Sequence, residues 1–255
     1  MYIIRKQRVV IFSIIYFFCT GAVLSQSSRP RRIEAGIFAG PTIDWAAANT
    51  HGYKTTGVKG GGVYGVNIDL NLHQTSSNYY FSTGINARHI RYGLEYKNKN
   101  YSYYNEETNA QEIMDSVLIN STFNTVYLSL PTAIKLKTGV FFDRFVFFGL
   151  AGLEHGIAVS SRSNDRVTKL ENTPSNVEKK IEKINRYEKT AIFKESLYIV
   201  LGAEFIIKDN TKATFGIGYD HGFNNMFRKK YTNSISGFPV KAHTHRLEFQ
   251  VGIIF

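Results

Sequence analysis

The feature that most constrains this chain is a recurring period of two in which large apolar residues alternate with charges. In HRLEFQVGIIF, Leu247, Phe249, Val251, Ile253 and Phe255 take every second position, with Arg246, Glu248 and Gln250 between them. Successive strand residues point to opposite faces, so such a run reads as a half-apolar β-strand. YGVNIDLNLH sets Tyr64, Val66, Ile68, Leu70 and Leu72 against Asn67, Asp69, Asn71 and His73. TVYLSLPTAIKLK, SLYIVLGAEFIIK and KATFGIGYDHG repeat the pattern, and runs near 33–46 and 144–160 show it less cleanly. In YYFSTGINARHIRYGLEY the apolar face starts with Phe81, Thr83 and Ile85 but ends with Ile90, Tyr92 and Leu94. Its parity switches near His89, as a bulge or an exit from a membrane would produce.

About eight strands result, each long enough to cross a bilayer at barrel tilt. QTSSN, TGVFFDR and KDNT are short links with turn chemistry. The other four, roughly 47–60, 97–123, 161–192 and 224–240, are long and polar. Strict alternation of short and long links predicts an all-β, eight-stranded antiparallel transmembrane barrel with short periplasmic turns and long extracellular loops. A mean hydropathy of −0.19 gives no sign of a helical membrane protein. The 16 Tyr, 19 Phe and 21 Gly, against 5 Pro, favour strands and turns.

The start of the chain reads as an export signal. Arg5, Lys6 and Arg8 precede the apolar run VVIFSIIYFFCTGAVLS. Cleavage after Ser25 would leave residues 26–32 as a periplasmic segment and 33–255 as the barrel. It would also remove Cys19, the only cysteine, so disulfides could not stiffen the exported protein.

A secreted soluble barrel would carry the same alternation with its faces reversed, apolar inside and polar outside. The charges decide between the two. Lys135, Arg88, Glu154, Glu204, Asp220, Arg246 and Glu248 all alternate against apolar neighbours. Residues of both signs on the narrower face predict a mutually paired interior, because isolated buried charges are costly. Hydrocarbon cannot satisfy a free sheet edge, so the spanning sheet must close on itself. Phe249, Val251, Ile253 and Phe255 then face lipid.

VYLSLPTAIKLKTGVFFDRFVFFGLAGLEHGIAV resembles the middle of the PorT-like outer-membrane β-barrel proteins of Bacteroidota. Tyr127, Leu128, Leu130, Pro131, Lys135 and Lys137, then Gly149, Gly152 and Gly156, stand in matching places. SLYIVLGAEF with ATFGIGYDHGFNNM is similar to that family's next hairpin, and RLEFQVGIIF to its closing strand. The resemblance, over about residues 33–255, implies an outer-membrane location and a place in an envelope assembly. The family takes its name from a component linked to type IX secretion, although no secretion-specific residue set carries over. An aromatic final strand, Phe249 to Phe255, also resembles the signal read by the outer-membrane barrel assembly machinery.

Among other candidates, Ser175 with Glu178 fits a capping box, and Val177, Ile181, Ile184 and Tyr187 fall on one helical face. An amphipathic loop helix there would dock a protein partner, rest on lipopolysaccharide or cover the barrel's own rim. His243 and His245 share one face, but nothing nearby in sequence completes a metal ligand set, so no metal or other cofactor is expected. His155, Ser160, Asp220 and His221 include the residue types of a rim-active lipid enzyme without a spacing that forces them together. GVKGGG at 57–62 lacks the following helix of a phosphate cradle. Pro131 within a strand removes a ladder donor and suggests a tolerated bulge in preference to an interface or kink, and Ser116 in DSV resembles an O-glycosylation acceptor of Bacteroidota. The net charge of +11 suits phosphate-rich outer-leaflet lipid better than nucleic acid, because no stacking aromatics interleave the basic residues on one surface. The reading is a non-catalytic barrel serving as a scaffold or accessory subunit of an envelope assembly. A surface-binding barrel resembling the OmpX type is the alternative, and a rim-active lipid-modifying enzyme a third.

Overall fold

A computed structural model of the chain describes residues 32–73, 78–105, 109–169, 178–208, 210–228 and 240–255. The expected leader over 1–25, the segment after it up to residue 31, and Val177 lie outside those residues. The described chain is all β: β1 (Ile33–Ala48), β2 (Tyr53–Thr55), β3 (Lys59–Asn71), β4 (Tyr79–Asn105), β5 (Ala110–Lys137), β6 (Phe145–Lys169), β7 (Glu178–Asn185), β8 (Phe193–Lys208), β9 (Thr211–Gly222) and β10 (Ala242–Ile254).

Eight of these strands close into an antiparallel ring in the order β1-β10-β9-β8-β6-β5-β4-β3, with β3 returning to β1. Directly paired residues lead from Trp45 through His245, His221, Leu197, Leu153, Thr132, Thr83 and Ile68 to Ala35. One circuit therefore descends ten residues along β1 (45 − 35). Eight strands with such a stagger must tilt by roughly 40°, and they leave an interior that side chains can fill. Each of the eight strands is thus paired along both edges, so the spanning sheet has no free edge, as hydrocarbon demands.

The two faces of the spanning region separate by polarity. Outward-facing Leu201 is 67% exposed and Val251 54%, whereas Arg88, Glu204 and Glu248 on the inner face are 0% exposed. Phe249, Val251, Ile253 and Phe255 all lie on the outer face, where β10 is paired on both sides by β1 and β9.

Toward the extracellular side the polarity inverts. β4, β5 and β6 run for 27, 28 and 25 residues, more than twice the roughly 9–11 that a tilted strand needs to cross a bilayer. In their outer halves Ile90, Tyr92, Leu94, Val117, Ile119 and Phe123 point inward and are buried. Arg91, Lys97, Arg162, Asn164 and Arg166 point outward and are exposed. Register with β5 runs unbroken through His89, where the pairing with β3 ends, so the parity switch in β4 marks the exit from the membrane and no bulge. The same side of the strand faces the barrel axis throughout. Only the medium outside changes, from lipid to water, and the residues follow it.

This overturns three local expectations. Much of the stretches 97–123 and 161–192 is paired strand, because their alternation continues with inverted polarity. Ser116 accordingly lies within β5, half-exposed and opposite Lys99. No helix forms around Ile181 and Ile184: residues 178–185 make β7, which pairs with β6. Strand pairing places Ile181 against the buried apolar cluster, while Tyr187 lies in the turn that follows and stays exposed. The 3.6-residue spacing of these apolar residues was outweighed by the unpaired edge that β6 offers. Nor does Pro131 form a bulge. The β5–β6 register shifts instead where Tyr127 pairs with Ala158 and Val126 with Ser160, leaving Val159 as the extra residue. Pro131 sits where the β4–β5 pairing skips Gly84 and Ile85, so its missing N–H leaves no gap in a continuous ladder.

The inversion has a direct consequence. Leu130→Arg puts a charge in the lipid band and costs about 2–4 kcal/mol, the range for charges deep on a barrel's lipid face. Asn124→Arg, six residues toward the outside on the same face, costs less than about 1 kcal/mol. Equilibrium urea unfolding in vesicles, followed by the fluorescence of Trp45, separates the two; equal costs would mean that the membrane boundary does not pass between them.

Candidate functional site

Alternation along each spanning strand delivers one inward side chain per two residues, and register stacks the charged ones into paired layers. Nearest the periplasmic ends, Lys135 Nζ lies 2.7 Å from Asp69 and 2.8 Å from Glu204. Lys137 Nζ reaches Glu34 at 2.6 Å and Glu204 at 2.9 Å, and Lys212 adds contacts to both at 2.8 and 3.4 Å. Ser82 donates to Asp69 at 2.6 Å and Tyr80 to Glu34 at 3.3 Å. The two ammonium groups also sit over rings, Lys135 over Phe148 and Lys137 over Tyr80. Ligand oxygens of Glu34, Asp69 and Glu204 lie within 4.8 Å of one another, a spacing that could hold a cation. Three lysines already supply that positive charge.

Midway up, Arg88 is wedged between Glu154 and Glu248, with 2.6 Å to the latter. Its guanidinium lies 4.8 Å from the centre of the Tyr198 ring. Gln250 donates to Glu248 at 2.7 Å and to Tyr198 at 2.6 Å, fixing the carboxylate from the other side. Gly218 makes this possible: a Cβ there would come within 2.7 Å of the Glu248 side chain. Higher still, Arg246 Nε pairs with Asp44 at 2.7 Å and donates through Nη2 to the His89 carbonyl at 3.0 Å. Lys194 pairs with Asp220 at 2.8 Å, and Ser196 donates to the same carboxylate.

All seven charged residues singled out from sequence face this interior, but not as one mutual cluster. Lys135 meets Glu204, and Arg88 meets Glu154 and Glu248. Arg246 and Asp220 bind Asp44 and Lys194, which sequence reasoning passed over. Glu34, Asp69, Lys137 and Lys212 complete the set. The signal for Asp69 and Lys137 was there in their alternation with apolar residues. Asp44 and Lys194 sit near strand ends, where alternation is too short to reveal them.

Above the charges the barrel is closed by hydrocarbon. Tyr92 stacks on Phe123 with ring centres 4.9 Å apart, and Phe227, from the β9–β10 connection, meets Phe123 edge-on at 5.5 Å. Ala46, Tyr53, Val167, Met226, Val240 and Ala242 join the same buried cluster. A buried Arg186–Asp165 pair at 2.5 Å, braced by Ser163, ties the turn after β7 to β6 beside it. An interior cavity lined by Asn67, Asn86, Lys135 and Gln250 measures about 50 Å³. That is space for ordered water and too little for a solute.

Other candidate residues do not assemble. Asp220 points inward, whereas His155 and His221 point outward on different strands. His155 instead joins Thr132, with Oγ1 3.1 Å from Nε2, and Glu195, with Oε2 2.5 Å from Nδ1. His245 stacks on Trp45 and meets His221 across the β9–β10 ladder.

Comparison with known proteins matches residues 24–228 to the family model of the outer membrane protein beta-barrel domain. No curated protein matches. Among solved structures, the attachment invasion locus protein Ail of Yersinia pestis, in complex with the heparin analogue sucrose octasulfate, aligns at 11% identity and TM-score 0.36, over 88% of this chain and 100% of that one. OprG of Pseudomonas aeruginosa aligns at 10% identity and TM-score 0.38, over 87% of this chain and 95% of that one. The N-terminal barrel of Pseudomonas aeruginosa OprF gives 10% and 0.33, over 88% and 98%.

Proposed function

This chain belongs to the outer membrane protein beta-barrel domain family, and we propose that it is a non-catalytic outer-membrane scaffold or accessory subunit of an envelope assembly. The observation that carries the proposal is the double seal: among the described residues, a charge-paired interior beneath an apolar plug leaves no route for a solute. A barrel without a lumen must act through its surfaces.

The extracellular surface is the larger of these. Beyond the membrane, β2 adds to β4 and β7 to β6, so β2-β4-β5-β6-β7 form a projecting sheet. Outward Arg91, Lys97, Arg162 and Arg166 give its base positive charge suited to the phosphates of lipopolysaccharide. An exported chain with the leader read at residues 1–25 reaches this place through the barrel assembly machinery, with Phe255 and the alternate residues before it as the recognition element. The resemblance to PorT-like proteins of Bacteroidota supports an assembly linked to type IX secretion. Catalysis is not part of this reading. Thr132, His155 and Glu195 line up hydroxyl, imidazole and carboxylate, but Thr132 lies inside β5, paired with Thr83 on one side and Leu153 on the other.

The same projecting sheet favours a second reading, a surface barrel that binds ligands of a host or neighbouring cell. Crosslinked affinity purification from the native envelope separates them. The assembly reading predicts stoichiometric envelope proteins that persist through detergent washing. Recovery of the barrel alone, with retained binding of intact cells to a foreign surface, would replace it with the second.

A further inference from the structure

On the outer face near the extracellular rim, strand pairing gathers side chains that the sequence keeps apart. Trp45, His245 and His221 are direct neighbours across β1, β10 and β9. His221 Nδ1 lies 3.1 Å from His245 Nδ1, and the Tyr219 hydroxyl lies 2.9 Å from that same His245 atom. The Trp45 ring stacks on His245 with centres 5.5 Å apart and planes 9° from parallel, holding the imidazole in place. His243 follows two residues along the same outward face.

Two full two-centre hydrogen bonds cannot both be made to the one His245 nitrogen. A ring nitrogen carries one proton or one lone pair in the ring plane, so His245 Nδ1 has one good bond to make. Two polar atoms converge on it. If Tyr219 donates, the His221 nitrogen is left facing an atom already occupied, and the reverse holds if His221 donates. A cation resolves the conflict, because it accepts a lone pair from each nitrogen at once. Two imidazole nitrogens bound side by side at about 2.0–2.1 Å lie roughly 3.0–3.4 Å apart, and the observed separation falls in that range. Imidazole selects borderline transition ions over Mg²⁺ and Ca²⁺, which prefer oxygen.

We propose that His221 and His245, with Tyr219 and water completing the shell, form a rim site for a divalent transition ion of the Zn²⁺ and Cu²⁺ class. The site is independent of the scaffold reading. It faces the headgroup zone at the seam where β10 lies between β1 and β9, so an ion there ties β9 to β10 across the outer leaflet.

The test uses tag-free protein folded in detergent micelles free of lipopolysaccharide, which itself binds divalent ions. Cu²⁺ titration is followed by electron paramagnetic resonance and Zn²⁺ titration by calorimetry, with heat-modifiable gel mobility confirming that each variant is folded. The expected result is one ion per chain, with nitrogen hyperfine structure for Cu²⁺. His221→Gln or His245→Gln should weaken binding by about tenfold or more, at least the loss seen when groups merely supporting a ligand are removed. His155→Gln, on the same outer face but held by Glu195, should leave it unchanged. Absence of binding, or binding that survives the double variant His221→Gln, His245→Gln, overturns the proposal.

Discussion

Replacing Arg88 by methionine destabilises the barrel by about 3–5 kcal/mol, the cost of removing one partner from a buried ionic group. The size of the effect follows from geometry. Arg88 is the cation between Glu154 and Glu248, all three 0–1% exposed. Without it two carboxylates face each other in a closed space, with Gln250 donating to Glu248. The substitution removes the charge and keeps much of the length, so packing changes least. Combining Arg88→Met with Glu154→Gln and Glu248→Gln removes the stranded charges and restores most of the stability. Urea midpoints in vesicles, read from Trp45, measure both. A single variant as stable as the parent would mean that these charges are hydrated and the interior is open.

The second large effect is at the apolar plug. Phe123→Ala removes a ring that stacks on Tyr92 and meets Phe227, and large-to-small changes at such buried aromatics cost about 3–5 kcal/mol. The loss falls outside the membrane, so it loosens the extracellular layer and leaves the spanning barrel folded. Phe227 and Met226 hold the start of the β9–β10 connection on this cluster. Proteinase K added to intact vesicles should therefore cut within 224–240 roughly a hundredfold faster or more, at about 1.4 kcal/mol for each factor of ten. The protected spanning fragments keep their folded gel mobility. Unchanged cleavage would show that the plug does not hold that connection.

Legibility in the sequence followed the range of the physics involved. Alternation is local and survives in a single strand, so the membrane faces of β3, β5, β8, β9 and β10 could be read directly. Their charged inner positions came with them: Lys135 on β5 and Glu248 on β10 are marked by their apolar neighbours. Partner choice is not local. Arg246 meets Asp44 across 202 positions of sequence because ring closure brings β1 to β10. The same closure sets His221 beside His245, whereas sequence offered His243, two positions away on the same strand.

The extracellular extension was misread for a different reason. Its strands alternate as regularly as the spanning ones, but polar residues such as Asn120, Thr122 and Asn124 take the outer face. Average polarity then resembles a loop. The change at His89 carried the correct information: one face stays turned to the axis while the outside passes from lipid to water. Around β7 the apolar spacing fitted a helix, but a long strand with an open edge recruits a neighbour before a short isolated helix can repay its nucleation cost.

A single face of each strand looks outward, to lipid below and to water above, around a closed interior. Spin labels on single cysteines along β5, in protein starting at residue 26 and reconstituted in vesicles, test it most directly. Labels replacing Leu128, Leu130, Ile134 and Leu136 should collide with oxygen dissolved in the bilayer, and those replacing Asn120, Thr122 and Asn124 with a water-soluble nickel chelate. A label at Ser129, on the inner face, should meet neither. Nickel access at Ser129, or oxygen access unchanged from Leu136 through Asn120, would contradict the account.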